Sequence, residues 1–144
     1  MNPILKTGVV IGVLCAVWMF VFGFAGWYKD PSMRMMFFLV VLIEVAGLVW
    51  GLRQTARDGR AYLGQIVAGT MIAVVAGVIV IAASLVFTMA VFPDALEAVQ
   101  ASEPAATPMS QALDGFLGTL VTGILASAAI ALWIRAPRAA VSRN

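Results

Sequence analysis

Four blocks of apolar residues, separated by short polar breaks, make up most of this chain. They occupy about residues 7–27, 35–52, 64–92 and 116–134. Each is close to or beyond the roughly 20 residues an α-helix needs to cross a bilayer. The pattern predicts an all-α membrane protein: an antiparallel four-transmembrane-helix bundle, with residues 1–144 forming a single integral membrane domain. Trp27 and Tyr28 end the first block at headgroup depth, where amphipathic rings are favoured. Lys29-Asp30-Pro31-Ser32 then reads as a tight turn, which makes the first two spans neighbours. Trp50 and Trp133 mark interfaces of the second and fourth spans. The third block is longer than one perpendicular crossing requires, so it is expected to tilt or emerge into water before Pro93-Asp94 stops it.

The one sizeable polar loop covers residues 93–115. Within it, Asp94 to Gln100 is expected to form a short helix with Leu96 and Val99 toward the membrane. Thr107 followed by Pro108 has the form of a helix N-cap with proline at the first helical position, so the fourth helix is expected to begin ahead of its apolar part. Lys6 and Gly23-Phe24-Ala25 imitate a signal peptide, but the intervening apolar stretch exceeds the roughly 7–15 residues of a signal core. A retained first span is the expectation.

Each span carries small or weakly polar residues at steps of three and four, which places them along one helix face. The first has Gly8, Gly12, Cys15, Met19, Gly23 and Gly26; the second has Glu44, Gly47 and Gly51; the third has Gly69, Ala73, Gly77, Val80, Ser84 and Thr88; the fourth has Gly115, Thr119, Thr122, Ala126 and Ala129. In lipid, helices associate through close backbone approach rather than through a hydrophobic drive. Gly8, Gly12, Gly47, Gly51, Gly69, Gly77, Thr119 and Thr122 are therefore candidate packing positions, and Phe20, Phe22, Leu42, Ile79 and Ile81 are expected to face lipid. The stripes leave open whether the contacts lie within one chain or between chains.

Composition agrees with this picture. The chain is 62% hydrophobic and only 11% charged, against about 25% charged for a soluble domain. The net charge of +2 does not indicate nucleic-acid binding, because the basic residues sit at span ends. Arg53, Arg57 and Arg60 follow the second span, and Arg135, Arg138 and Arg143 follow the fourth. If helical, the first three share a face that can reach lipid headgroups, but a helix end solvated at the membrane surface is the preferred reading. Residues 93–115 hold Asp94, Glu97, Glu103 and Asp114 and no Lys or Arg. The positive-inside rule then puts both termini and the Arg53–Arg60 segment in the cytoplasm, with a bacterial inner membrane as the expected location. Lys29 and Arg34 weakly oppose that orientation.

No catalytic constellation is evident. Histidine is absent and Cys15 is the single cysteine, which excludes histidine acid–base chemistry, an intrachain disulfide and a cysteine-cluster metal site. Asp94 and Glu97, three residues apart, read as a solvated face. The expectation is a non-enzyme without metal or cofactor.

Glu44 is the exception, a charged residue type deep in an apolar run. An ionised side chain at mid-membrane costs about 2.5–3.5 kcal/mol on insertion scales. No Lys or Arg stands at its depth, so the neutral acid is the expected form unless water or a partner cation reaches it. Glu44 shares its stripe with Gly47 and Gly51, so it should face protein. By depth, its expected neighbours are Cys15, Trp18, the 77–84 stretch and Ser127. Three roles fit: a neutral acid hydrogen-bonded within the bundle, a proton, cation or cationic-substrate site, or a contact with a partner subunit.

Lys6-x-Gly8-x-x-x-Gly12, Gly47-x-x-x-Gly51-Leu52-Arg53, Gly59-Arg60-x-Tyr62-x-x-Gln65 into Gly69, Phe87-Thr88, Phe92-Pro93-Asp94 and Ile134-Arg135 follow one another along most of the chain. With these motifs the chain resembles a bacterial four-span membrane family designated domain of unknown function 4199. Many members of that family have a longer outer loop and an acidic residue plus proline at the start of the fourth span, where Asp114-Gly115 stands here. The resemblance implies the four-span topology and carries no activity with it. The functional expectation is an oligomeric module or accessory subunit of a membrane complex, in contact with lipid and with copies of itself or other membrane subunits. The alternative is a small proton- or cation-coupled transporter using Glu44.

Overall fold

The computed structural model describes residues 2–135. Among them there is no β-strand, and four helical segments are long and apolar enough to cross a membrane: Pro3–Phe24, Pro31–Arg57, Tyr62–Val91 and Pro108–Ile134. The protein is an all-α four-helix membrane bundle.

Helix α1 (Pro3–Phe24) starts four residues ahead of the expected span because the Asn2 side chain accepts a hydrogen bond from the Ile4 N–H at 3.0 Å and Pro3 occupies the first helical position. It stops where Gly26 takes φ +70°, a conformation that side-chain-bearing residues avoid. Two single turns of 3-10 helix, Trp27–Lys29 and Pro31–Met33, make the connection. Between them Asp30 accepts from the Ser32 N–H and hydroxyl at 2.9 and 2.7 Å. The second span is interrupted. A one-turn helix α2 (Arg34–Phe37) meets α3 (Leu39–Arg57) at Phe38, where the backbone tightens to i→i+3 hydrogen bonds. The Trp18 indole donates to the Met36 carbonyl at this break, at 3.2 Å.

Helix α3 ends at Arg57, and Gly59 at φ +74° turns the chain. Arg60 therefore lies beyond the helix and does not share its face with Arg53 and Arg57, contrary to the helical reading of that segment. Helix α4 (Tyr62–Val86) widens into a π-helical turn, Phe87–Val91, closed by the Phe92 N–H on the Phe87 carbonyl at 2.7 Å. Helix α5 (Pro93–Gln100) follows directly. Helix α6 (Pro108–Arg135) begins eight residues before the expected apolar block. Thr107 caps it: its hydroxyl accepts from the Ser110 N–H at 3.1 Å, and its own N–H donates to the Ser110 hydroxyl at 2.9 Å. Arg138 lies outside the described residues, as does the side chain of Arg135.

Helix α4 packs between α1 and α6, and α3 closes the bundle against the same two helices and against α4. The bundle has a basic end, with Arg53 and Arg57, and an acidic end, with Asp94 and Asp114. The half toward the basic end is closely packed. Ile11, Leu48, Leu52, Ala68, Ile72, Ala76 and Ile130 fill it. Glycines allow the helices to close there. A Cβ on Gly8 would lie 2.6 Å from Val75 Cβ, one on Gly12 2.8 Å from Ile79 Cβ, and one on Gly51 2.5 Å from Thr7 Cγ2. Gly47 abuts Ile11, Gly69 abuts Ser127 and Gly77 abuts the Phe116 ring. Val17, Leu42, Val67 and Leu125 point outward, and exposures of 54–67% for such side chains fit lipid as the surrounding solvent. Two residues expected on that lipid face are elsewhere. Phe22 is 6% exposed, wedged between Trp27 and Phe37, and Ile79 fills the notch at Gly12.

Candidate functional site

Glu44 lies on the buried face of α3, which continues with Leu48, Gly51, Leu52 and Thr55. The spacing puts all five on one side of the helix, and Glu44 is 4% exposed. Its Oε2 stands 2.7 Å from the Thr122 hydroxyl on α6. Its Oε1 has no hydrogen-bond partner among the described residues. That oxygen lies against Gly123, where an added Cβ would come 3.1 Å from it and strike Ala73 of α4. Gly123 therefore makes room for the carboxylate between three helices.

The Thr122 hydroxyl has one hydrogen and more than one acceptor. It is 2.8 Å from the Gly118 carbonyl as well as 2.7 Å from Glu44 Oε2. If its hydrogen stays on Gly118, the bond to Glu44 needs a hydrogen from the carboxyl group, which must then be neutral. If Glu44 is ionised, the hydroxyl turns to it and releases the helix carbonyl. One rotation of one hydroxyl thus accommodates both protonation states with no movement of heavy atoms.

Above Glu44, toward the acidic end, the four helices leave a cavity of about 520 Å³. Glu44 and Thr122 form its floor, with Cys15 and Trp18 of α1 and Val80 and Ser84 of α4 in its walls. Leu96 and Val99 of α5 also line it. They face the interior of the bundle rather than the membrane, because α5 folds back over the helix ends. The cavity exists because the small residues at this level are not matched by large ones. Gly118 has nothing within 4 Å of the position a Cβ would take. Thr119 and Thr122, grouped with the packing glycines by their spacing, line this space instead.

The roof is tied down at Asp94. Its Oδ2 accepts from the Lys29 ammonium and from the Tyr28 hydroxyl, both at 2.8 Å. The Lys29 contact, and then Tyr28, hold the Asp94 carboxyl below the usual carboxylate range, and Asp94 in turn raises Lys29. Both side chains are largely exposed, so water screens the pair and its contribution to stability is small. Beside it the rings of Phe87 and Phe92 lie 4.7 Å apart, with Tyr28 and Phe24 packed against them.

Of the neighbours expected for Glu44, Cys15, Trp18, Val80 and Ser84 share its cavity. Ser127 does not. It lies toward the basic end against Gly69 and donates to the Gly123 carbonyl at 2.6 Å. Thr122 was visible only as a small-residue position, and nothing in the spacing marked it as the hydrogen-bond partner. A second buried polar group, near the basic end, also escaped. The Thr55 hydroxyl reaches Gln65 Oε1 at 2.7 Å, while Gln65 Nε2 and Thr7 Oγ1 have no partner among the described residues. Arg53 lies over the Trp133 ring at 5.1 Å, and Arg57 and Arg60 are exposed. Among the described residues no three Cys, Asp or Glu side chains come together as a metal site.

Comparison with models of known protein families, with curated proteins and with solved structures finds no match.

Proposed function

We propose that the protein is a small non-enzymatic carrier of a bacterial inner membrane, in which Glu44 exchanges a proton as a solute occupies the cavity above it. The observation that carries this is the position of the carboxylate. It is buried at the floor of a chamber, between a closely packed half of the bundle and a hollow one. Buried ionisable groups in membrane helices are rare and cluster on such pathways. The Thr122 hydroxyl supports both protonation states of Glu44. The stripe glycines Gly8, Gly12, Gly47, Gly51, Gly69 and Gly77 are met by side chains of the same chain, which favours a self-contained bundle over an accessory subunit. On this reading the acidic end faces outward and the Arg-bearing end faces the cytoplasm.

Proteoliposomes holding a pH-sensitive dye test the reading, with sodium, potassium and a panel of organic amines applied outside. The wild-type protein should move protons in exchange for at least one cation, and Glu44→Gln, assembled equally well, should move none. Proton movement unchanged in Glu44→Gln would remove Glu44 from the path. No proton movement in the wild type, together with a Glu44 infrared carboxyl band that does not respond to pH, would return the residue to a structural hydrogen bond.

A further inference from the structure

The cavity has a chemical character that narrows what can occupy it. Its volume, about 520 Å³, lies in the range of about 300–1,000 Å³ typical of small-molecule sites. Trp18, Phe22, Phe37 and Phe38 give it aromatic walls. The ionisable groups that line it are Glu44 on α3, Cys15 on α1, Tyr28 in the first turn and Asp114 on α6; α4 contributes the hydroxyl of Ser84 and the π-helical turn that of Thr88. Among the described residues no Lys or Arg lines it, and Lys29, near the roof, is paired with Asp94. Every charge that the described lining can carry is negative.

We propose that the cavity binds a hydrophobic organic monocation, with its charged centre toward Glu44 and its apolar body against the aromatic walls. This rests on the carrier reading only in placing the solute above Glu44. An anion would face one buried carboxylate and a second acid at Asp114, with no counter-charge among the described residues that line the cavity. A small inorganic cation would need a shell of oxygens to replace its water. The mostly apolar lining does not supply one around Glu44, whose Oε1 lies against Gly123 and whose Oε2 meets the single hydroxyl of Thr122. An organic cation needs no such shell. Its weakly hydrated charge is stabilised by one carboxylate and by ring faces, and its body by the apolar wall. When it enters, Glu44 gives its proton to water and Thr122 turns its hydroxyl to the carboxylate, so one positive charge replaces another.

The test uses two ions of the same shape and opposite charge, tetraphenylphosphonium and tetraphenylborate. Each is measured separately by equilibrium dialysis against the full chain in nonionic detergent, with protein-free micelles subtracted. The phosphonium should bind at one site per chain, and the borate should show no excess over micelles. Glu44→Gln should weaken the phosphonium by at least about tenfold. Gly118→Leu, which extends a side chain into open space, should weaken it similarly while the thermal transition does not fall. Equal excess binding of both ions, or phosphonium binding indifferent to both substitutions, would overturn the proposal. Cation binding without proton exchange keeps this inference and removes the carrier. Proton exchange without phosphonium binding keeps the carrier and removes this ligand class.

Discussion

Two glycines in transmembrane helices, Gly8 and Gly118, should respond to alanine in opposite directions. A Cβ on Gly8 would stand 2.6 Å from Val75 Cβ and 2.9 Å from the Ile72 carbonyl oxygen. Both atoms are fixed to the α4 backbone, so no rotamer change relieves the contact and the helices must separate. Overpacking of this kind costs about 1–3 kcal/mol. On Gly118 the same methyl group meets nothing within 4 Å. Glycine to alanine inside a helix gains about 1 kcal/mol from propensity, and this gain is common to both sites. Gly8→Ala should therefore lose up to about 2 kcal/mol, and Gly118→Ala should gain up to about 1 kcal/mol. Their difference, about 1–3 kcal/mol, isolates the steric contact because the propensity term cancels. Reversible unfolding in mixed micelles of mild detergent and dodecyl sulfate, followed by far-ultraviolet circular dichroism, measures both. If the two variants shift in the same direction by the same amount, α1 and α4 do not approach as closely as described, and that half of the bundle is not closely packed.

The Glu44–Thr122 hydrogen bond should appear as a coupling energy in a double-mutant cycle of Glu44→Leu and Thr122→Val. Intramembrane polar pairs average about 0.6 kcal/mol and reach about 1.7, and a coupling indistinguishable from zero in the same unfolding assay would mean that the contact does not persist. The Lys29–Asp94 pair sets a pH window for the roof. Asp94 is depressed, so its contribution is complete above the ordinary carboxylate value and is lost as pH falls through the depressed one. Lys29 is raised, so its contribution is complete below the ordinary lysine value and is lost as pH rises through the raised one. Hydrogen exchange of α5 amides, corrected for intrinsic rates, should stay level between those limits and increase beyond either; Asp94→Asn should remove the acid-side change.

The fold was legible because its two signals are strong. Span length is set by bilayer thickness, and the glycine spacing is set by helix geometry. The ends were less legible, since caps move them: Asn2 and Thr107 extend two helices past their apolar blocks. The break at Phe38 has no marker, because neither proline nor glycine is present there and the local sequence reads as uninterrupted helix. The importance of Glu44 could be read from its setting in an apolar run. Its surroundings could not, because which hydroxyl meets it depends on helix rotation and offset, and spacing leaves those free by a residue or more. That uncertainty is the difference between Ser127, which was expected beside it, and Thr122, which is there. The cavity was invisible for a related reason. Small residues read the same whether a neighbour fills the notch, as at Gly12, or leaves it open, as at Gly118.

The unequal filling of the bundle makes its two halves mechanically different. Closely packed protein is nearly incompressible, while voids contribute the volume that pressure can remove. The half around Ile11, Leu48 and Ile72 should keep its dimensions under load, and the chamber beneath α5 should take up the strain. Lateral stress in the bilayer acts on the same compressible region. The lipid surroundings then become a variable of the chamber itself: a membrane that squeezes the acidic leaflet shrinks the space above Glu44, and one under tension enlarges it.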